Sequence, residues 1–115
     1  MKSSIKKIEA VIRPSALRAV LDGLKSVGYP GVMVTDVQGH GKQRGITENY
    51  RGQSVEGLLQ KLLVTTVVHD KDVKKVIQIL ITSTRTGEIG DGKIFISSVE
   101  EVIRVRTGEK GSKAI

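Results

Sequence analysis

The chain has no cysteine. That excludes disulfides and thiolate metal sites. Aromatic residues are scarce: Tyr29, Tyr50 and Phe95 make up 3% of the chain. A nucleic acid would find few rings to stack on. No apolar run approaches the roughly 18 residues of a membrane span, and the opening Met1-Lys2-Ser3-Ser4-Ile5 lacks the apolar stretch of a secretory signal. The expected location is the cytoplasm, or an organelle stroma, with no direct membrane insertion. Histidine is limited to His40 and His69, too few for a catalytic or metal constellation. Glu9, Asp36 and Asp70 form no spaced acid pair, and no nucleophile stands beside a base. The expectation is a protein that is not an enzyme.

What is present is basic charge. Among 115 residues the net charge is +7, with a pI near 9.9. Such a balance favours anionic partners: nucleotides, nucleic acid, acidic metabolites or a membrane surface. The lysines and arginines are scattered rather than run together. Hydrophobic residues are 38%, enough for one small core, and the length predicts a single domain over 1–115. A core this small is modest, so self-association offers a route to further burial.

The periodicity alternates between strand and helix. Ile8, Ala10 and Ile12 share one face of a strand over 5–12, with Lys7, Glu9 and Val11 on the other. Pro14 suits a first helical turn, and Leu17, Leu21, Leu24 and Val27 recur at helical spacing before a stop at Gly28. Residues 32–38 read as a second strand. The stretch from 39 to about 60 shows no clear period and reads as a loop of about 20 residues, unusual enough to be functional or disordered. Residues 62–68 then read as a strand, Asp70 as a helix N-cap, Val73, Val76, Ile77 and Leu80 as a helical stripe, and 94–97 as a fourth strand. The order is βαββαβ, an α+β ferredoxin-like sandwich with both helices on one face. The other face needs a cover.

The most informative segment is Thr86-Gly87-Glu88-Ile89-Gly90-Asp91-Gly92-Lys93-Ile94. Three glycines allow backbone amides to approach a ligand, and a lysine follows at once. Ten residues on, Arg104 and Arg106 alternate on what reads as a strand, which points both to one face. Together these make a polyphosphate site, though not with Walker A spacing.

With that order in place, four stretches resemble the PII signal-transduction family of nitrogen regulators. They are Val11-Ile12-Arg13-Pro14, the run from Val34 to Gly45, the run from Arg85 to Phe95, and the run from Val102 to Glu109. The resemblance covers essentially the whole chain. It implies a homotrimer that binds ATP or ADP in clefts between subunits, senses 2-oxoglutarate with MgATP, and docks a long T-loop on a target. That target would be an ammonium transporter or a nitrogen-metabolism enzyme. It places the T-loop at about 40–60, the B-loop at about 85–93 and the C-loop at about 104–109, the last reaching in from a neighbouring subunit.

The resemblance also assigns roles. Lys93, Arg104 and Arg106 match phosphate-binding positions, with Gly39, Gly41, Gly90, Asp91 and Gly92 lining the nucleotide and Val67 offering backbone to the base. Lys42 stands where the family has an arginine, so it brings charge without a bidentate fork. Gln43 matches the glutamine that ligates Mg2+ beside the phosphates and 2-oxoglutarate, and a neutral oxygen suits that hard cation. Lys61 matches the lysine that pairs with the 2-oxoglutarate carboxylate, once a one-residue gap is placed before Leu58. Arg51 matches a residue that contacts ammonium channels. Several positions depart from the pattern. Met33 and Thr65 replace residues that read the adenine edge, and Val55 replaces the tyrosine that accepts a nucleotidyl group. Two other readings stand beside this one: an adenine-nucleotide sensor without a 2-oxoglutarate response, and a basic nucleic-acid module on the same fold. The second would place aromatics on the central strands, where this chain offers only Phe95.

Overall fold

The computed structural model describes residues 4–40, 47–50, 53–56, 58–88 and 90–115. In chain order its elements are β1 (Ile5–Ile12), α1 (Leu17–Ser26), β2 (Met33–His40), β3 (Thr47–Tyr50), β4 (Gln53–Glu56), β5 (Leu58–His69), α2 (Val73–Thr84) and β6 (Lys93–Ser98). Four strands form one antiparallel sheet in the order β2-β5-β1-β6. This is the ferredoxin-like arrangement expected from βαββαβ.

The strand alternation decides which face is buried. Ile8, Ala10 and Ile12 of β1 lie opposite Thr66, Val64 and Leu62 of β5. All six are buried. They meet Val20 and Leu24 of α1 and Val76 and Leu80 of α2 in one core. Each fully buried aliphatic side chain contributes about 1.5–3 kcal/mol from desolvation. Both helices therefore cover one face. Across the other runs a row of paired residues, Met33, Thr65, Glu9 and Phe95. Met33 is 64% exposed and Phe95 52%.

Helix α1 begins where Pro14 opens a short 3-10 turn that Arg13 precedes in extended conformation. It ends in a Schellman motif: Tyr29 N–H donates to Leu24 O and Gly28 N–H to Lys25 O. Gly28, with φ of +93°, supplies the left-handed residue that the motif requires.

Three expectations are corrected. The stretch from 39 to about 60 is not a structureless loop. β2 runs on to His40, β5 starts at Leu58, and β3 pairs with β4 as a separate two-stranded sheet. β2 is a sheet edge exposed along most of its length, so no apolar alternation marks its extension; the backbone ladder from Gly39 to Leu59 carries it. Second, Asp70 does not cap α2. It opens a 3-10 turn, and α2 has no side-chain cap. The neighbouring carboxylate, Asp72, instead accepts a bond from the Tyr29 hydroxyl.

Third, Arg104 and Arg106 do not alternate on a strand. Ile103 makes one isolated bridge to Lys110, and the chain turns between them. Arg104 N–H donates to Glu109 O at 2.8 Å, and Gly108 N–H to Arg104 O at 2.7 Å. Alternating Ile103 and Val105 imitate a strand pattern, but they are 55% and 98% exposed. Neither side chain is held by a core, and the Thr107-Gly108 turn prevails.

Candidate functional site

The loop between α2 and β6 is organised around one carboxylate. Asp91 Oδ2 accepts the amides of Thr86 at 2.8 Å and Gly87 at 2.9 Å. Asp91 Oδ1 accepts the Thr86 hydroxyl, and it accepts Arg13 Nη1 at 2.8 Å. The same Arg13 nitrogen reaches Thr86 Oγ1 at 3.0 Å. The Thr86 hydroxyl bond, then the Thr86 amide, the Gly87 amide and the Arg13 charge outweigh partial desolvation and hold the Asp91 carboxyl down to about 2.

Gly92 fixes the exit of this loop. Its φ is +107°, and a Cβ there would stand 1.7 Å from Val11 O. Only glycine lets the backbone lie this close to β1. Lys93 follows as the first residue of β6, opposite Val11 and exposed. Behind the loop lies a cavity of about 250 Å³ between Ile12, Leu80, Thr84 and Asp91. The loop thus presents glycine backbone, the exposed Lys93 and the exposed Glu88 outward, while Asp91 turns inward to the frame.

Lys61 approaches the same loop from β5. Its ammonium donates to Gly90 O at 2.8 Å, and the residue is 8% exposed. Burial is the main influence lowering its pKa; the Arg13 charge adds to this and Asp91 opposes it. A Cβ on Gly39 would meet Lys61 Cγ at 3.3 Å. Lys61 therefore lies between the end of β2 and the glycine loop.

The structure brings Gly39, Lys61, Gly90, Asp91, Gly92 and Lys93 to one end of the sheet. It does not bring Arg104 and Arg106 there. Arg104 Nη1 pairs with Glu109 Oε1 at 2.9 Å and Nη2 donates to Lys113 O, while Arg106 is exposed on the turn. Among the described residues, no hydrogen bond or ion pair joins that turn to the 85–93 loop. Val67 sits in β5 opposite Lys7, half-buried, and borders a different cavity with Tyr29 and His69. Gly41, Lys42, Gln43 and Arg51 lie outside the described residues.

Sequence reasoning missed the partnership of Arg13 with Asp91. The two stand 78 positions apart, and a single sequence shows no signal for such a pair. The local half was readable: a threonine and an aspartate five residues apart, enclosing glycines, is a loop closed by side-chain-to-backbone bonds.

The comparisons follow the same outline. A family model for nitrogen regulatory protein P-II matches residues 5–109. The chain is 50% identical over 112 residues to nitrogen regulatory protein P-II 2 of Methanothermobacter thermautotrophicus, covering 96% of this chain and 97% of that one. It is 53% identical over 113 residues to nitrogen regulatory protein P-II of Nostoc punctiforme, covering 96% and 100%. Among solved structures it is similar to Arabidopsis thaliana PII bound to citrate, with a TM-score of 0.81, 41% identity, and coverage of 98% and 91%. The first two relatives are named as nitrogen regulatory proteins. A match of this length, at this identity and on this fold, places the chain in the nitrogen regulatory protein P-II family.

Proposed function

We propose that this protein senses adenine nucleotides, ATP or ADP, and with MgATP also senses 2-oxoglutarate. It passes that state to a nitrogen-metabolism target, such as an ammonium transporter or an enzyme, through residues of about 40–60. The observation that carries the reading is the glycine loop tied inward through Asp91 and Arg13. With Asp91 committed inward, glycine backbone and the Lys93 ammonium are left to face a ligand, the chemistry that polyphosphate needs; Glu88 is also exposed. Gln43 would ligate Mg2+ beside the phosphates. A neutral amide oxygen suits a hard cation that keeps most of its bonds to phosphate and water. Arg51 would contact the target.

Within its own chain Arg104 is bonded to Glu109 and Lys113, and among the described residues no hydrogen bond or ion pair joins its turn to the loop. The phosphate role of Arg104 and Arg106 therefore needs a neighbouring subunit, and a homotrimer supplies it. The citrate held by the Arabidopsis relative supports a capacity for small polycarboxylates. Calorimetric titration with ATP, then with 2-oxoglutarate in the presence and absence of MgATP, tests the reading. ATP should bind, and 2-oxoglutarate should bind only with MgATP. No heat with ATP would overturn the nucleotide role. A second reading, a nucleotide sensor without a 2-oxoglutarate response, draws on the Lys61 ammonium being engaged by Gly90 O. ATP binding with no 2-oxoglutarate response would select it.

A further inference from the structure

We propose that Arg13 is the positioning residue of the phosphate loop, acting on nucleotide affinity through Asp91 and Thr86 without touching the nucleotide. The inference rests on the nucleotide reading above.

The argument begins with what holds the loop. Residues 85–88 are exposed, and a cavity of about 250 Å³ lies behind the loop. Apolar packing therefore does little to fix where its amides point. Polar bonds do this instead, and they converge on Asp91. One carboxylate oxygen takes the two loop amides, and the other takes Arg13 and the Thr86 hydroxyl. Asp91 alone could only close the loop upon itself. Arg13 fixes the Thr86–Asp91 closure to the end of β1, while Lys61 of β5 holds the loop separately at Gly90 O.

Arg13 is suited to that work. It follows β1, an interior strand of the sheet, and precedes Pro14, which restricts its backbone. It is in fact extended, at φ −69° and ψ 143°. Two residues earlier, Val11 O packs against Gly92. The same strand end thus holds the loop at both sides, by a backbone approach at Gly92 and by a guanidinium at Asp91 and Thr86. Because Asp91 pairs with Arg13 at 2.8 Å, the two charges largely cancel at the distance of a bound phosphate. The contribution of Arg13 is geometric rather than electrostatic.

That distinction yields a test with opposite signs. Asp91→Asn removes a negative charge beside the phosphate site. If Arg13 and Asp91 act through their field, ATP should bind more tightly. If they act by position, ATP should bind more weakly, because Asn cannot take both the amides and Arg13. Arg13→Met should cost roughly tenfold in ATP affinity, the value of one charge-assisted bond. Arg13→Lys, whose ammonium has several donors, should restore most of it.

The experiment is calorimetry with MgATP on the full chain and the three variants. Amide hydrogen exchange of Thr86 and Gly87 is measured without nucleotide, and thermal melts confirm folding. Exchange should quicken in Arg13→Met and stay slow in Arg13→Lys. If Arg13→Met does not fold, Asp91→Asn and Arg13→Lys carry the test. Wild-type affinity in every variant with unchanged exchange overturns the proposal and leaves the nucleotide reading standing. Tighter binding by Asp91→Asn also overturns it. A wild-type chain that binds no ATP overturns the nucleotide reading and this proposal with it.

Discussion

Lys61 and Gly90 are joined across the site: the buried ammonium of β5 donates to the loop carbonyl over 2.8 Å. The bond links the proposed 2-oxoglutarate lysine to the proposed phosphate loop. The ammonium has three donors, so an acid bound at Lys61 would share that nitrogen with the loop carbonyl, and the loop and the acid would be coupled through one side chain.

Lys61→Met tests that coupling. Methionine keeps much of the buried stem and loses the ammonium. Any 2-oxoglutarate binding should disappear, while ATP affinity should stay within about tenfold. Paired titrations of wild type and variant check this. Retained 2-oxoglutarate binding would remove Lys61 from the site.

Asp91 gives a pH prediction. Its folded pKa of about 2 lies below the ordinary 3.8. A depressed acid contributes stability that is fully present above its unfolded pKa and is lost as pH falls through its folded pKa. Asp91→Asn should be less stable than wild type near neutral pH. The gap should narrow as pH drops from about 4 toward about 2. Urea unfolding of both proteins across that range checks it; a gap that stays constant would mean the carboxylate charge plays no part.

How much of this was legible follows from where the information sits. Ile8, Ala10 and Ile12 announced a half-buried strand because the alternation has a period of two and one face is covered. Val76 and Leu80 did the same for α2. β2 hid its extension because its sides meet water, so the pattern that reports burial had nothing to report. The glycine loop was legible as a phosphate candidate, whereas its anchor was not. Arg13 and Thr86 are brought together by the tertiary fold, and no local periodicity encodes that contact. The Arg104 segment misled for a third reason. Exposed Ile103 and Val105 carry strand-like alternation with no core to enforce it.

Two glycines should respond differently to alanine. At Gly28 a Cβ would meet nothing within 4 Å, so only the left-handed φ is penalised, at about 1–2 kcal/mol. At Gly92 the Cβ would overlap Val11 O as well, which forces the loop off β1. Gly92→Ala should cost at least about 3 kcal/mol and lose ATP binding. Chemical denaturation of both variants checks the order. Equal penalties would mean the approach to Val11 is not tight.

Arg104→Ala and Arg106→Ala should each weaken ATP binding by roughly tenfold to a hundredfold, the range for a charge-assisted contact. The two differ in a second measurement. Arg104 also bonds Glu109 and Lys113 O within its own chain, so only Arg104→Ala should loosen the turn and quicken amide exchange at Gly108. Unchanged ATP affinity in both would remove the turn from the nucleotide site.

The last prediction concerns the uncovered sheet face. Met33, Thr65, Glu9 and Phe95 lie side by side across four strands, and the two apolar ends of that row are more than half exposed. Burying this face against copies of itself gains apolar area at about 25 cal/mol per Å². The proposed intersubunit site requires an assembly of this kind, with a neighbour's arginine turn at the glycine loop. Wild-type protein should therefore sediment near three times 12.5 kDa. Phe95→Glu sets a second carboxylate directly opposite Glu9, and like charges in a cross-strand pair repel. That variant should sediment near one chain and lose ATP binding, with its helical signal retained. If it remains trimeric, the subunits meet elsewhere. If wild type is a monomer that binds ATP tightly, the site is complete within one chain and the intersubunit role of Arg104 and Arg106 is wrong.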